Sequence, residues 1–266
     1  MPATYFSAVK TMRNIIVHYH IFKNAGTTID EILRASFGSR WQNLDKLPTP
    51  GVKILPYELQ DFLEHNPQLY ALSSHDAFLP APVGNFTIYP VFFLRHPLLR
   101  ARSAWKFEWQ IQEGLTNPKG TFADYLNSKL AKNEAGVFSN FQTYKLSNQL
   151  YKPLDIQRRP TTPAEILQVA QTTVASAPFF GLVEHMQESL ERMHYYLRMA
   201  FPTLKVFNKQ FNASADRTGT TNQALESMRN EIGAQLFNEL EARNNLDLQL
   251  YQYAVDRFFS VVPNQQ

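Results

Sequence analysis

Lys23, Gly26, Thr27 and Thr28 stand close together in "HIFKNAGTT", just after the β-branched run Ile15 to His20 and just before apolar residues at helical spacing, Ile29, Ile32, Leu33 and Phe37. A glycine-containing turn that feeds a helix offers unpaired backbone N–H groups and the positive end of the helix dipole, which together bind an anion. The two threonine hydroxyls add donors. Aligned on Gly26, the phosphate-loop pattern G-x-x-x-x-G-K-S/T meets Ile21 at its first glycine and Thr27 at its lysine, so both positions fail. The lysine is instead Lys23, inside the loop. A compact, mobile cation there reaches the outer oxygens of a bound phosphate and neutralises a leaving phosphate without Mg²⁺, so the expectation is no metal ligand set. Taken alone, this segment also fits a solvated lysine beside a tight turn.

A second unit, "VFFLRHPLLRARSAW", puts Arg95 at the end of a buried strand and Ser103 eight residues later, about two helical turns along. An arginine at the carboxyl end of a parallel strand sits where α/β folds bind ligands, and its fork suits a phosphate monoester. A surface ion pair is the plainer alternative. A group transfer to a hydroxyl also needs a base, and histidine titrates in the right range. His75, in "YALSSHDAF", follows an expected strand and so reaches the same sheet edge; Asp76 is the neighbour expected to orient it or cap a turn. Glu64 and His65 are reserve candidates for the base. His20 reads as a residue that orients the loop, and His18, on the same side of its strand, as packed. Trp105 and Trp109, four apart, read as core aromatics rather than a sugar platform.

These residues need a scaffold of strands ending in loops. The pattern predicts strands over Ile15 to His20, Tyr70 to Ser73, Thr87 to Leu94 and Phe179 to Val183, with a last one in "LKVFN". Helices are expected over Thr28 to Phe37, from Pro97 through Gln110, twice between Thr121 and Ser147, from Thr162 onward, along Met186 to Leu197, and in two C-terminal segments. Strands alternating with helices predict an α/β fold with a doubly wound parallel sheet flanked by helices, as one domain over residues 1–266.

The composition agrees with a folded chain: 44% hydrophobic residues can bury a core in 266 residues. A net charge of +3 suits anionic ligands, and its scatter gives no nucleic-acid patch. With no cysteine, disulfides, thiol nucleophiles and cysteine-bound metals are excluded. No run approaches the about 18 apolar residues of a membrane span, and "MPATYFSAVKTMRN" has no signal-peptide core. The sequons at Asn85 and Asn212 carry little weight without a secretory route.

The two phosphate-loop candidates together resemble the motifs of PAPS-dependent sulfotransferases, in particular the carbohydrate and heparan-sulfate type. "HIFKNAGTT" is similar to their 5′-phosphosulfate loop, H-I-P-K-T-G-G-T-T, and "FFLRHPLLRARSAW" to their strand–R-x-P–helix with a serine eight residues after the arginine. The resemblance extends to "SNFQTYKLS", "FFGLVEHMQESLERM" and "NNLDLQLYQYAVDRF". It implies a P-loop-NTPase-like fold and transfer from 3′-phosphoadenosine 5′-phosphosulfate to an acceptor hydroxyl on a glycan, leaving 3′,5′-ADP. Under it Lys23 contacts the bridging oxygen, Asn24, Ala25, Gly26, Thr27 and Thr28 hold the 5′-phosphate, and Arg95 and Ser103 hold the 3′-phosphate. His75 becomes the base, since the family carries a histidine between its two cofactor motifs, and Arg217 with Gly219 falls in a loop that closes on the cofactor. Phe22 stands where the family has proline. A bacterial-type protein of this kind is cytoplasmic, whereas a trimmed domain would belong to the Golgi lumen. A kinase using ATP and Mg²⁺, and a nucleotide-binding module without catalysis, are the competing expectations.

Overall fold

The computed structural model describes residues 12–45, 53–131, 138–149, 162–206 and 220–260; Arg217, Gly219 and Asn212 lie outside them. In chain order the strands are β1 (Arg13–Tyr19), β2 (Trp41–Asn43), β3 (Ala71–Ser74), β4 (Phe86–Val91), β5 (Phe93–Leu94) and β6 (Gly181–Leu182). The helices are α1 (Gly26–Phe37), α2 (Pro56–His65), α3 (Pro97–Lys106), α4 (Phe122–Ala131), α5 (Phe141–Leu146), α6 (Pro163–Ser176), α7 (Met186–Leu197), α8 (Thr221–Ile232), α9 (Ala234–Arg243) and α10 (Asn245–Ser260).

β2, β3, β1 and β4 lie side by side in that order, all parallel. β1 is central, so its residues alternate between two covered faces. Ile15, Val17 and Tyr19 pack toward α2, α6 and α10, while Ile16 packs toward α1 and α7. The architecture is thus α/β, a parallel sheet with helices on both faces. A third apolar cluster ties α3 and α4 to α8 and α9.

Several expectations need correction. The strand expected over Thr87 to Leu94 is broken at Phe92: β4 stays beside β1, while β5 steps away to pair in parallel with β6. Its first part, Thr87 to Pro90, is only half-buried, because it flanks the sheet. Leu204 to Val206 is not a strand; the Lys205 amide is taken by the Ser36 hydroxyl of α1 at 2.9 Å, and the Leu204 amide by the Phe201 carbonyl at 3.0 Å. Among the described residues the C-terminal region holds three helices where two were expected, since Gly233, at φ 81°, separates α8 from α9. Helix α3 ends at Lys106 and passes into a wide turn of π type over Phe107–Ile111. The start of α6 is as expected: the Thr162 hydroxyl accepts from the Glu165 amide and the Glu165 carboxylate from the Thr162 amide, so each satisfies the other's orphan donor. No helix of the described residues is long and apolar enough to cross a membrane.

Candidate functional site

β1, β3 and β5 all run out at their carboxyl ends into the segments that carry the candidate residues: His20 to Ala25, His75, and Arg95. The first of these is tightly wound. Lys23 and Ala25 both adopt left-handed conformations, at φ 66° and 63°. Such backbone costs on the order of 1–3 kcal/mol per non-glycine residue and recurs in ligand clamps. The Asn24 amide is used internally, donating to the Ile21 carbonyl at 3.0 Å, and the Thr28 and Ile29 amides return to Ala25. The amides of Ala25, Gly26 and Thr27 have no backbone partner among the described residues. Three N–H groups without a backbone partner, at the positive end of a 12-residue helix, are chemically able to receive an anion.

The Lys23 ammonium lies 4.5 Å from the centre of the Phe107 ring and 5.7 Å from that of Phe22. Burial, with Arg95 nearby, pulls its pKa down to about 8. A lysine so placed gains from any anion that arrives. Asn24 holds the loop differently from the sequence expectation: its side chain turns inward, almost fully buried, and donates at 2.7 Å both to the Phe93 carbonyl and to Gln142 Oε1. Gln142 in turn accepts from the Arg95 amide at 2.9 Å and donates to the Arg95 carbonyl at 2.8 Å. The Asp247 carboxylate of α10 fixes that helix start, accepting from the Gln142 and Thr143 amides at 3.2 and 2.7 Å.

Arg95 closes the circuit by donating from its guanidinium to the Lys23 carbonyl at 3.1 Å. The two phosphate-loop candidates are therefore one braced unit. Arg95 also lies 3.8 Å from the Glu184 carboxylate, which accepts from the His96 amide at 3.0 Å and the Tyr251 hydroxyl at 2.8 Å. A phosphate on Arg95 would share it with Glu184. Ser103 is half-buried on α3, two turns beyond Arg95, and Thr28 is buried in the first turn of α1 while Thr27 is exposed.

The sheet register explains the histidines. Tyr19 pairs with Ser74 across β1 and β3, so the next residues, His20 and His75, emerge side by side, with the His20 amide donating to the Ser74 carbonyl at 2.9 Å. Their rings lie 3.7 Å apart, and His18 also stacks on His20, at 5.1 Å. A carboxylate anchors each end of this stack. Asp30 lies 3.0 Å from His18 Nδ1, and Asp45 is 3.2 Å from His75 Nδ1 while also accepting the His75 amide at 2.7 Å. Burial opposes the charge on both carboxylates, but the histidine hydrogen bonds outweigh it, leaving Asp45 below its usual range and Asp30 at about 2. With Nδ1 bound to Asp45, His75 keeps Nε2 as its basic nitrogen, and its side chain is 39% exposed, enough to meet a substrate. His20 sits deeper; burial, then the flanking histidines, hold its pKa well down, and its Nδ1 has no partner among the described residues.

His20 also explains Gly26. A Cβ at Gly26 would fall 1.6 Å from His20 Nε2, so the imidazole occupies the space that any other residue would fill. Beneath His75, Lys145 donates to the His75 and Ala77 carbonyls at 2.6 and 2.8 Å, its pKa pulled down to about 7 by burial and by Lys53.

Asp76, expected beside His75, pairs with Lys53 at 3.0 Å, and the carboxylate that meets His75 Nδ1 is Asp45. Glu64 and His65 belong to the last turns of α2, whose terminal carbonyls receive Arg13 from the start of β1, and so stand at the opposite edge of the sheet. A hollow of about 730 Å³ runs along α2 from Tyr57 to Asn66, likewise away from Lys23. Trp105 is core as expected, but Trp109, past the end of α3, remains partly exposed. The sequence reading missed Asp45, Gln142, Lys145 and Glu184. Three of these lie in segments singled out by the resemblance, whereas nothing local marks Asp45.

No protein-family model matches the chain. Over a match of 262 residues, with 92% of this chain and 98% of the relative covered, it is 28% identical to a protein of Archaeoglobus fulgidus described as uncharacterized.

Proposed function

We propose that the protein is a sulfotransferase with a P-loop-like fold that moves the sulfuryl group of 3′-phosphoadenosine 5′-phosphosulfate to an acceptor hydroxyl. The observation that carries this reading is the convergence, on one sheet edge, of an anion cradle with its own lysine, an arginine locked to that lysine's carbonyl, and a carboxylate-anchored histidine. The donor supplies an activated sulfuryl group and a good leaving phosphate. The residues present suit it: the open amides of Ala25 to Thr27 hold the 5′-phosphate, while Arg95 and Ser103 take the 3′-phosphate.

The chain's own tasks are then binding, orientation and proton transfer. His75 Nε2 accepts the proton of the acceptor hydroxyl as its oxygen bonds to sulfur; Asp45 keeps Nδ1 protonated and stabilises the imidazolium. As the sulfur–oxygen bond to the leaving phosphate breaks, charge grows on the bridging oxygen, where the Lys23 ammonium and the loop amides stabilise it. Asn24 offers a brace to this loop, not a contact to the nucleotide.

Thermal-shift titration with 3′,5′-ADP, ADP and ATP with Mg²⁺ tests the donor site. Stabilisation by 3′,5′-ADP above the other two is expected; a shift with ATP and Mg²⁺ but none with 3′,5′-ADP overturns the reading in favour of a kinase. With a donor and an acceptor in hand, Lys23→Ala should lose on the order of 10²–10³ in turnover while keeping a reduced 3′,5′-ADP shift, since the loop amides and Arg95 remain.

A further inference from the structure

Beyond β3 the chain makes a short turn, His75 to Ala77, and each backbone polar group of that turn is held. The His75 amide donates to Asp45 Oδ1 at 2.7 Å, and the Asp76 and Ala77 amides both donate to the Ser74 hydroxyl at 3.0 Å. The Asp76 carbonyl accepts from the Ile54 amide at 3.1 Å. The two remaining carbonyls, of His75 and Ala77, converge on one donor, Lys145 Nζ, at 2.6 and 2.8 Å. Among the described residues no other group donates to either.

Lys145 reaches this turn from α5, 70 residues further along the chain. Its side chain is buried, and Nζ lies 3.9 Å from the centre of the Phe78 ring. The charged amine has three N–H donors and the neutral one two, so either form serves both carbonyls. One turn earlier on the same helix, Gln142 holds the other two candidate segments, accepting from Asn24 at 2.7 Å and bonding in both directions to the Arg95 backbone. A single six-residue helix thus grips the ends of β1, β3 and β5. The ring bond of His75 has little slack, because its 3.2 Å from Nδ1 to Asp45 is already at the long end for a hydrogen bond. A small displacement of the turn breaks it, and nothing then keeps the ring proton on Nδ1.

Resting on the reading of His75 as the base, we infer that Lys145 is its positioning residue: through the His75 and Ala77 carbonyls it fixes the turn in which Asp45 holds the ring proton on Nδ1 and leaves Nε2 open to the acceptor hydroxyl. Its role is separable from that of Gln142, which serves the Lys23 loop and Arg95. A brace that only stabilised the fold would select no tautomer.

Histidine-selective ¹⁵N NMR of the full chain, recorded above the ordinary histidine range of pH and with His75 assigned by its loss in His75→Gln, reads the tautomer directly. Wild-type His75 should carry its proton on Nδ1 alone. Lys145→Met, which keeps the apolar stem and removes the donors, should show both tautomers while retaining the thermal shift with 3′,5′-ADP. Arg13→Met is the matched control: it strips cationic donors from the Leu63 and Asn66 carbonyls at the opposite edge of the sheet, and should leave His75 as in the wild type. A wild-type ring protonated on Nε2, a tautomer unaltered in Lys145→Met, or one altered equally by Arg13→Met overturns the proposal. Should Lys145→Met lose its melting transition, Lys145→Arg decides: a planar fork cannot reproduce the amine's approach to both carbonyls, so His75 should again show both tautomers, and an unchanged spectrum refutes the role. Absence of a 3′,5′-ADP shift in the wild type, with His75 responding as expected, refutes the donor reading alone.

Discussion

Lys23 combines strained backbone, partial burial and a neighbouring cation, so its proton is held loosely until an anion arrives. Because its pKa in the free protein is about 8, nucleotide binding above that pH must first capture a proton. Affinity for 3′,5′-ADP should therefore fall as pH rises from 8 to 10, and calorimetry in buffers of different ionisation enthalpy should record proton uptake; Lys23→Met should abolish both. A pH-independent affinity would remove Lys23 from the anion site. At His75 the decisive partner is Asp45. An amide there can donate to Nδ1, which transfers the ring proton to Nε2 and leaves nothing basic toward the acceptor. Asp45→Asn should lose on the order of 10²–10⁴ in turnover with nucleotide binding intact, and a variant retaining full rate would show that His75 needs no such anchor.

The elements work because their connections are braced. Asn24→Ala leaves the Phe93 carbonyl and Gln142 Oε1 short of a donor in a buried setting, which should cost about 1–3 kcal/mol in denaturant unfolding. Much of this level was legible beforehand. The run from Ile15 into the Lys23 loop and α1 combines continuous apolarity, a glycine turn and helical spacing, three signals that agree. Pro97 after Arg95 marked α3, and Thr162 with Glu165 marked α6, since capping is local chemistry. What could not be read depends on register and tertiary contact. The nearness of His20 to His75 follows from the pairing of Tyr19 with Ser74, and Asp45 reaches His75 across 30 residues of chain. The inward turn of Asn24 is decided by Gln142, 118 residues away. The step from β4 to β5 escaped notice because an apolar run gives no sign of which neighbour it will pair with.

Across the whole molecule, buried amines shape the response to pH. Lys145 titrates near 7 when folded and at its ordinary 10.5 when unfolded, so between those values the unfolded chain holds more protons. Stability should accordingly climb from pH 7 toward 10, Lys23 adding to the slope above 8. Beyond 10 the trend turns, because burial raises the pKa of Tyr19, Tyr196 and Tyr251, and the unfolded chain ionises first. Urea melts at intervals across this range should show the climb, flattened in Lys145→Met; a flat wild-type curve would mean that Lys145 remains charged in the fold. One feature of the sheet edge reaches beyond any single chain. The imidazole of His20 fills the volume that a side chain at Gly26 would need. These two positions are in effect a single hereditary unit: a lineage that enlarges the glycine must first surrender the ring, and one that loses the ring is free to drift at the glycine.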